Sequence, residues 1–271
     1  METARANPDE ILRAIQLEEK KEQTGNLKIF FGYAAGVGKT YAMLKAAQNA
    51  KQHGIDVVIG YVEPHSRPQT QALVNGLEQI SLQHISSDGI NVNEFDVAAA
   101  LRRKPQLILV DELAHTNAPG SRHKKRYQDV EELLRAGIDV YTTINVQHIE
   151  SLCDIVTSIT GITVRERIPD DVFDEAAQVK LVDIEPQELI DRLNEGKIYH
   201  AEQAKRALDH FFSLQNLTAL REIALRRCAD RVNRVAESGK IQTGANYYTD
   251  EHVLVCLSSS PTNAKIIRTA A

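Results

Sequence analysis

The chain has 271 residues, 42% of them hydrophobic and 25% charged, with a formal net charge of −5. That length suffices for one large α/β domain plus something smaller, and the acidic balance gives no global pull toward nucleic acid or an anionic membrane. No apolar run approaches the ~18 residues of a membrane span, and the N-terminus is too charged for a secretory signal. Cys153, Cys228 and Cys256 stand far apart without a C-x-x-C pair, the pattern of reduced, buried thiols rather than of metal ligands or disulfides. A cytoplasmic protein is expected.

Residues 7–23 open with Asn7-Pro8-Asp9-Glu10 and continue through Ile11, Leu12, Ile15 and Leu17, which predicts a capped helix. A strand over 27–31 runs into a glycine-rich loop, and a helix over 39–53 closes at Gly54. Next come a strand at 57–62, a helix near 68–80, a polar stretch and a helix at 94–103. "LILVDE", 107–112, reads as a buried strand ending in two carboxylates; a helix at 127–136 and a strand at 138–144 follow. Strands alternating with helices predict an α/β class with a doubly wound, mainly parallel sheet. Downstream, "ITVRERIP" (162–169) and "VKLVDIEP" (179–186) read as strands ended by Pro169 and Pro186, and 186–196 as a short helix. Helices over 201–212 and 217–236 complete the pattern, the last with Leu217, Leu220, Ala224, Cys228, Val232 and Val235 as its apolar stripe.

The most specific signal is "FFGYAAGVGKT", residues 30–40. Gly36 and Gly38 lack a Cβ, so the backbone can turn its N–H groups inward around phosphate oxygens. Thr40 opens a helix whose positive dipole end faces the same place. Lys39 would reach the phosphates and the Thr40 hydroxyl would ligate Mg²⁺, with Val37 and Tyr41 completing the residues expected around the nucleotide. One departure stands out: the strict G-x-x-x-x-G-K-[ST] pattern asks for glycine where this chain has Tyr33, and Gly32 comes one residue early. Tyr33 then packs either over the nucleotide or into the core.

Asp111 is delivered by four apolar residues to the carboxyl end of a strand, where ligands of open α/β sheets collect. It would hold Mg²⁺, through a water, opposite Thr40. Glu112 could polarise an attacking water or receive its proton, a catalytic role. Beyond it, "LAHTNAPGSRHKKRYQD" contains Pro119-Gly120 and the basic run Arg122–Arg126. It is either a solvated loop or a switch that closes over the nucleotide with His115, Arg122 or Lys124. Asn145, Gln147 and His148, after the next strand, could contact the same ligand.

Three blocks, "LKIFFGYAAGVGKTYAML", "LILVDELAHTNAPGSRHKKRYQDVEELLRAGIDVYTTINVQHIESL" and "HFFSLQNLTALREIALRRCADRV", resemble the cytoplasmic N-terminal region of the KdpD family of potassium-responsive sensor histidine kinases. The likeness covers roughly residues 8–236, and Gly36, Gly38, Lys39 and Thr40 match its nucleotide loop, Asp111 and Glu112 its second nucleotide motif. The resemblance implies ATP and Mg²⁺ as ligands, and a regulatory module whose nucleotide state biases kinase and phosphatase output. Its partner would be the transmembrane and kinase part of such a sensor, in cis or in trans. The phosphorylated histidine helix and the kinase domain of the family are absent from this sequence, so none of its nine histidines is assigned as a phosphoacceptor and only slow ATP hydrolysis is expected.

The implied organisation is a P-loop nucleotide-binding domain over 1–236, a linker over 237–250, and over 251–271 the incomplete start of a universal-stress-protein-like domain. Some members bind a cyclic dinucleotide there, with a serine turn like Ser258–Ser260 and residues further on. Only the turn is present here, which puts cyclic-dinucleotide binding in doubt for this chain. The residues themselves leave a second reading open, a self-contained P-loop ATPase or small-molecule kinase. Nucleic acid is not an expected partner.

Overall fold

Four consecutive buried residues, Leu107–Val110, form strand β6, and a strand that is apolar on both faces must be covered on both. The same logic holds for β1 (Leu27–Gly32) and β2 (Val57–Tyr61). With β3 (Glu78–Gln79), β7 (Asp139–Asn145) and β8 (Gln178–Leu181) they make a six-stranded, all-parallel sheet in the order β3-β2-β6-β7-β1-β8. A computed structural model provides these positions and describes residues 24–63, 68–87, 90–194 and 211–243. The α/β class and the parallel sheet are those the periodicity predicts. The expectations over 7–23, 201–210 and 244–271 lie outside the described residues.

Helices α1 (Lys39–Gln52), α2 (Pro68–Val74), α3 (Val97–Arg103) and α4 (Arg126–Arg135) link the first strands. In α1 the buried positions are Lys39, Met43, Leu44 and Ala47, and Met43, Leu44 and Ala47 pack with Phe30, Val57, Ile59, Leu77, Leu107 and Leu109 on one face of the sheet. Each large aliphatic or aromatic side chain there contributes about 1.5–3 kcal/mol by leaving water. Gly60 in β2 is required by packing: a Cβ at that position would lie 2.6 Å from Cε2 of Phe95. After β7 come α5 (Cys153–Thr160), α6 (Asp170–Asp174) and α7 (Pro186–Asn194). Helix α8 (Leu214–Thr243) is the last described element. The chain divides into two compact units after Arg226; the sheet belongs wholly to the first. Among the described residues no helix is long and apolar enough to cross a membrane.

Several expected elements are corrected. The helix read near 68–80 stops at Val74, and Glu78–Gln79 pairs with β2 instead. The polar stretch is an antiparallel hairpin of β4 (Gln83–Ser87) and β5 (Ile90–Glu94). The helix read from 94 starts at Val97, because the Asp96 side chain accepts from the Ala99 N–H at 2.8 Å and fixes the cap. Residues 162–169 form no strand: only Ile168 makes a bridge, with Ile149, and the alternating side chains have no neighbouring strand to pair with. The strand read through Glu112 ends at Val110. Helix α8 stays helical past 236, through Thr243, and Val232 of its expected apolar stripe is exposed.

The strand order decides where function can sit. β7 lies between β1 and β6, with Gly32 opposite Asn145 and Val110 opposite Thr142. The carboxyl ends of β1, β7 and β6 are therefore adjacent, and the glycine loop, Asn145 and Asp111 emerge along one edge.

Candidate functional site

At that edge the chain leaves β1 and turns through Gly36 and Gly38, at φ 91° and 103°, before α1 begins at Lys39. Side chains with a Cβ rarely adopt these angles. The turn is one wall of a cleft of about 280 Å³ lined also by Lys39, Thr40, Tyr41, Glu112, His115 and Thr143. Lys39 is held at the floor, its Nζ donating to the Ala34 carbonyl oxygen at 2.9 Å. Tyr41 stands half-open on the rim. Val37 is buried and does not line the cleft. Tyr33 belongs to the core: it is fully buried and its hydroxyl donates to the Ile184 carbonyl oxygen at 3.1 Å. Of the two placements the sequence leaves open, the structure adopts the interior one.

Asp111 is fully buried. Its Oδ2 accepts from the Thr40 hydroxyl at 3.0 Å, while Oδ1 accepts from the Thr143 hydroxyl and, at 3.1 Å, from the Glu112 N–H. Three elements thus meet on one carboxylate, which orients the Thr40 hydroxyl from behind. Glu112 follows at φ 57°, a left-handed conformation that costs on the order of 1–3 kcal/mol for a residue with a Cβ. The turn brings its side chain to the cleft wall. Desolvation first, then the carboxylates of Asp111 and Glu63, push the Glu112 carboxyl above its ordinary range, against Arg126 and Lys39.

The segment after Glu112 is more fixed than a basic loop suggests. Arg126 is 1% exposed, lies 4.0 Å over the Tyr61 ring, donates from Nη1 to the Asp111 carbonyl oxygen at 3.1 Å, and pairs through Nη2 with Glu94 at 3.2 Å. Glu94 also holds His115 Nε2 at 3.0 Å and the Ala118 N–H at 2.8 Å. Burial pushes the Glu94 carboxyl up, but His115, the Ala118 amide and Arg126 outweigh it and hold the group below its usual value. Arg122 is paired with Glu132, His123 with Asp129, and Lys125 donates to Thr116. Of the residues proposed to close over a ligand, the structure brings His115 to the cleft; Arg122 and Lys124 do not line it. Asn145 and His148 line it as well, whereas Gln147 does not.

Sequence reasoning passed over Thr143, Glu63, Glu94, Arg126 and Glu166. Thr143 carried a readable signal: it is the second of two consecutive hydroxyl residues just before the carboxyl end of β7. Glu94 and Arg126 carried none, being 32 positions apart in chain segments of different type.

Comparison with known proteins now bears on this geometry. The family model described as "Osmosensitive K+ channel His kinase sensor domain", KdpD, matches residues 23–232. The chain belongs to this family. It is 58% identical over 269 residues to the Sensor protein KdpD of Clostridium acetobutylicum, covering 98% of this chain and 30% of that one. Against the Sensor protein KdpD of Escherichia coli the identity is 50% over 272 residues, with 100% and 30% covered. The Putative sensor protein KdpD of Synechocystis is 51% identical over 245 residues, 90% of this chain and 65% of that one. The chain therefore spans about 30% of the length of the first two relatives. Every residue of the cleft falls inside the span matched by the KdpD sensor-domain family.

Proposed function

We propose that this KdpD-type sensor domain is a cytoplasmic ATP-binding regulatory module, whose nucleotide state biases the kinase and phosphatase output of the rest of a potassium sensor, in cis or in trans. One observation carries the reading: the Thr40 hydroxyl at the first turn of α1 lies 3.0 Å from the Asp111 carboxylate, directly beyond the left-handed glycines of the loop. Those glycines make a cradle of backbone N–H groups at a helix N-terminus, which suits a phosphate chain. Lys39 supplies a cation at its floor. Among the described residues no three His, Cys, Asp or Glu side chains converge to hold a metal unaided. The hard oxygen donors Thr40 and Asp111 instead fit Mg²⁺, which keeps waters and phosphate oxygens as its other ligands. When bound, Mg²⁺ neutralises charge on the phosphates. The protein's part is to orient the Thr40 hydroxyl from Asp111, and to keep Glu112 at the open side, where it can order a water. The same reading keeps 1–236 as the nucleotide-binding domain, 237–250 as linker and 251–271 as the start of another domain.

Calorimetric titration with Mg-ATP tests it. Lys39→Ala should weaken binding by roughly 1.5–3 kcal/mol, the worth of a charge-assisted contact; unaltered binding in a folded variant refutes the site. Thr40→Ala should weaken binding mainly with Mg²⁺ present, and an equal loss in EDTA refutes metal ligation. Glu112, at the cleft wall with its carboxyl shifted toward neutrality, favours one competing reading, a self-contained ATPase or small-molecule kinase. Turnover of ~1 to 10³ s⁻¹ by this chain alone would select that reading.

A further inference from the structure

His148 stands in the same cleft and takes no part in the scheme above. It ends the short 3₁₀ helix Val146–His148, directly after the strand that separates β1 from β6. Its Nδ1 lies 2.8 Å from the Glu166 carbonyl oxygen. A carbonyl oxygen only accepts, so Nδ1 carries hydrogen and the neutral ring leaves Nε2 as a bare lone pair. Nε2 has no hydrogen bond among the described residues, and the ring lines the cleft with Lys39, Thr143 and Asn145.

The surroundings favour the uncharged ring. Desolvation lowers its pKa first; Glu166 opposes, and the ammonium groups of Lys39 and Lys125 add repulsion. The charged or titratable groups around it are Lys39 and Tyr41 from α1, Glu63 after β2, Glu112 and His115 from the segment after β6, Lys125 from the cap of α4, and Glu166. Most of these are already engaged: Lys39 by the Ala34 carbonyl oxygen at 2.9 Å, Glu63 by the Tyr61 hydroxyl, His115 by Glu94, Lys125 by the Thr116 hydroxyl, and the Glu166 carboxylate by the Thr116 N–H at 2.8 Å. A phosphate oxygen facing a bare Nε2 would set two acceptors against each other. One proton on Nε2 converts that clash into a charge-assisted hydrogen bond.

We propose that His148 reads the terminal phosphate: it takes up a proton at Nε2 when a nucleoside triphosphate fills the cleft, and so couples the preference for ATP over ADP to pH. The proposal rests on the nucleotide reading above. The proton comes from solvent, a new N–H bond forms on imidazole, and no bond of the nucleotide breaks. Because the occupied state raises the His148 pKa above that of the empty state, its contribution to affinity is complete below the empty-state value. It is lost as pH rises through the occupied-state value. Between the two, ATP affinity falls by up to about tenfold per pH unit while ADP affinity stays flat.

The test is calorimetry of the full chain with Mg-ATP and with Mg-ADP, in buffers of different ionisation enthalpy. Measurements belong above pH ~7, where a terminal phosphate with a second pKa of ~6 is already ionised. With ATP the apparent enthalpy should vary with the buffer, reporting uptake of up to about one proton; with ADP it should not. His148→Gln should bind ATP without that dependence. ATP binding with no proton uptake in the native chain, or uptake that survives in His148→Gln, overturns the proposal alone. Failure of both nucleotides to bind overturns the nucleotide reading and this proposal with it. Nitrogen-15 NMR of the native histidines needs no variant: the His148 Nε2 resonance should move from the bare to the protonated range with Mg-ATP and not with Mg-ADP, and an unmoved resonance overturns the role.

Discussion

Glu94→Gln is the most informative single change, because it tests whether the site is held from behind by charge. Glu94 is 2% exposed, with Oε2 on Arg126 at 3.2 Å and Oε1 shared by His115 and the Ala118 N–H. A glutamine has one acceptor oxygen for these three donors, and its amide nitrogen must face a donor on one side. Arg126 then stays at 1% exposure without its counter-charge. Breaking a buried pair in this way costs about 3–5 kcal/mol, or a fall in Tm of roughly 6–20 °C at about 2–4 °C per kcal/mol. The assay is thermal and urea unfolding of the native chain, Glu94→Gln, Arg126→Met and the double variant. The double should be less destabilised than the two singles summed, by about 1–3 kcal/mol, since both partners are then gone. The pH dependence carries a sign. The folded Glu94 carboxyl sits below its ordinary value, so its contribution is present above the unfolded pKa of about 4.3 and is lost as pH falls through the lower folded value. Glu94→Gln should therefore flatten the loss of Tm on acidification. A loss below ~1 kcal/mol, well under a broken buried pair, or full additivity in the cycle, would refute the argument.

Three further outcomes follow from the same geometry. Gly38→Ala should cost roughly 1–3 kcal/mol from backbone strain alone, because an added Cβ at φ 103° meets nothing within 4 Å; unchanged Tm and unchanged Mg-ATP binding would show that the loop does not need this conformation. Glu112→Gln should keep Mg-ATP bound while removing whatever slow hydrolysis the native chain shows. Desolvation in the cleft and the Asp111 and Glu63 carboxylates raise the folded Glu112 pKa while the residue keeps contact with solvent, so the glutamine variant should also melt slightly higher at neutral pH, a gain that solvent screening keeps small and that disappears below about pH 4.3; equal hydrolysis and equal melting would make Glu112 a bystander. In hydrogen exchange, amides of 112–116 should be slower with Mg-ATP than with Mg-ADP while the turn around Pro119–Ser121 stays constant, and a difference confined to that turn would relocate the switch.

What the residues disclosed follows the range of the interactions involved. The glycine loop, Asp111 and the strands β1, β2, β6 and β7 could be read because strand, turn and helix cues lie within a few positions of one another. The hairpin β4–β5 also had a local cue in the sequence, Asp88-Gly89 between Ile85 and Ile90, one of the strongest short-range hairpin signals. β4 offers Ile85 as its one apolar residue, and the short alternation Ile90-Asn91-Val92-Asn93 of β5 was lost among polar neighbours. Arg126 failed for a different reason. It closes a run of basic residues that reads as solvated charge, yet the buried positions of α4 are Arg126, Asp129, Val130 and Leu133. The inward stripe begins with two charged residues, so a search for apolar period misses its first turn. Their burial makes sense only after β5 and the Asn117 region fold against them, with Asn117 Nδ2 on Asp129 at 2.7 Å and Glu94 on Arg126.

Such long-range polar pairing places the nucleotide motifs and the segment after them in one mechanical frame. Arg126 holds the backbone carbonyl of Asp111, whose carboxylate holds Thr40, while Glu94 ties Arg126 to His115 at the cleft wall. A ligand that pulls on Thr40 therefore acts on Asp111 first. The next contact along this chain is Arg126, buried and poorly hydrated, with little freedom to absorb the displacement by rotating into solvent. The adjustment must pass to Glu94 and His115 or be resisted there. If the network is rigid, Glu94→Gln will lower stability and leave the ATP-versus-ADP difference in exchange at 112–116 intact. If it transmits, the same variant will abolish that difference at temperatures well below its own unfolding, and this comparison separates a scaffold from a relay.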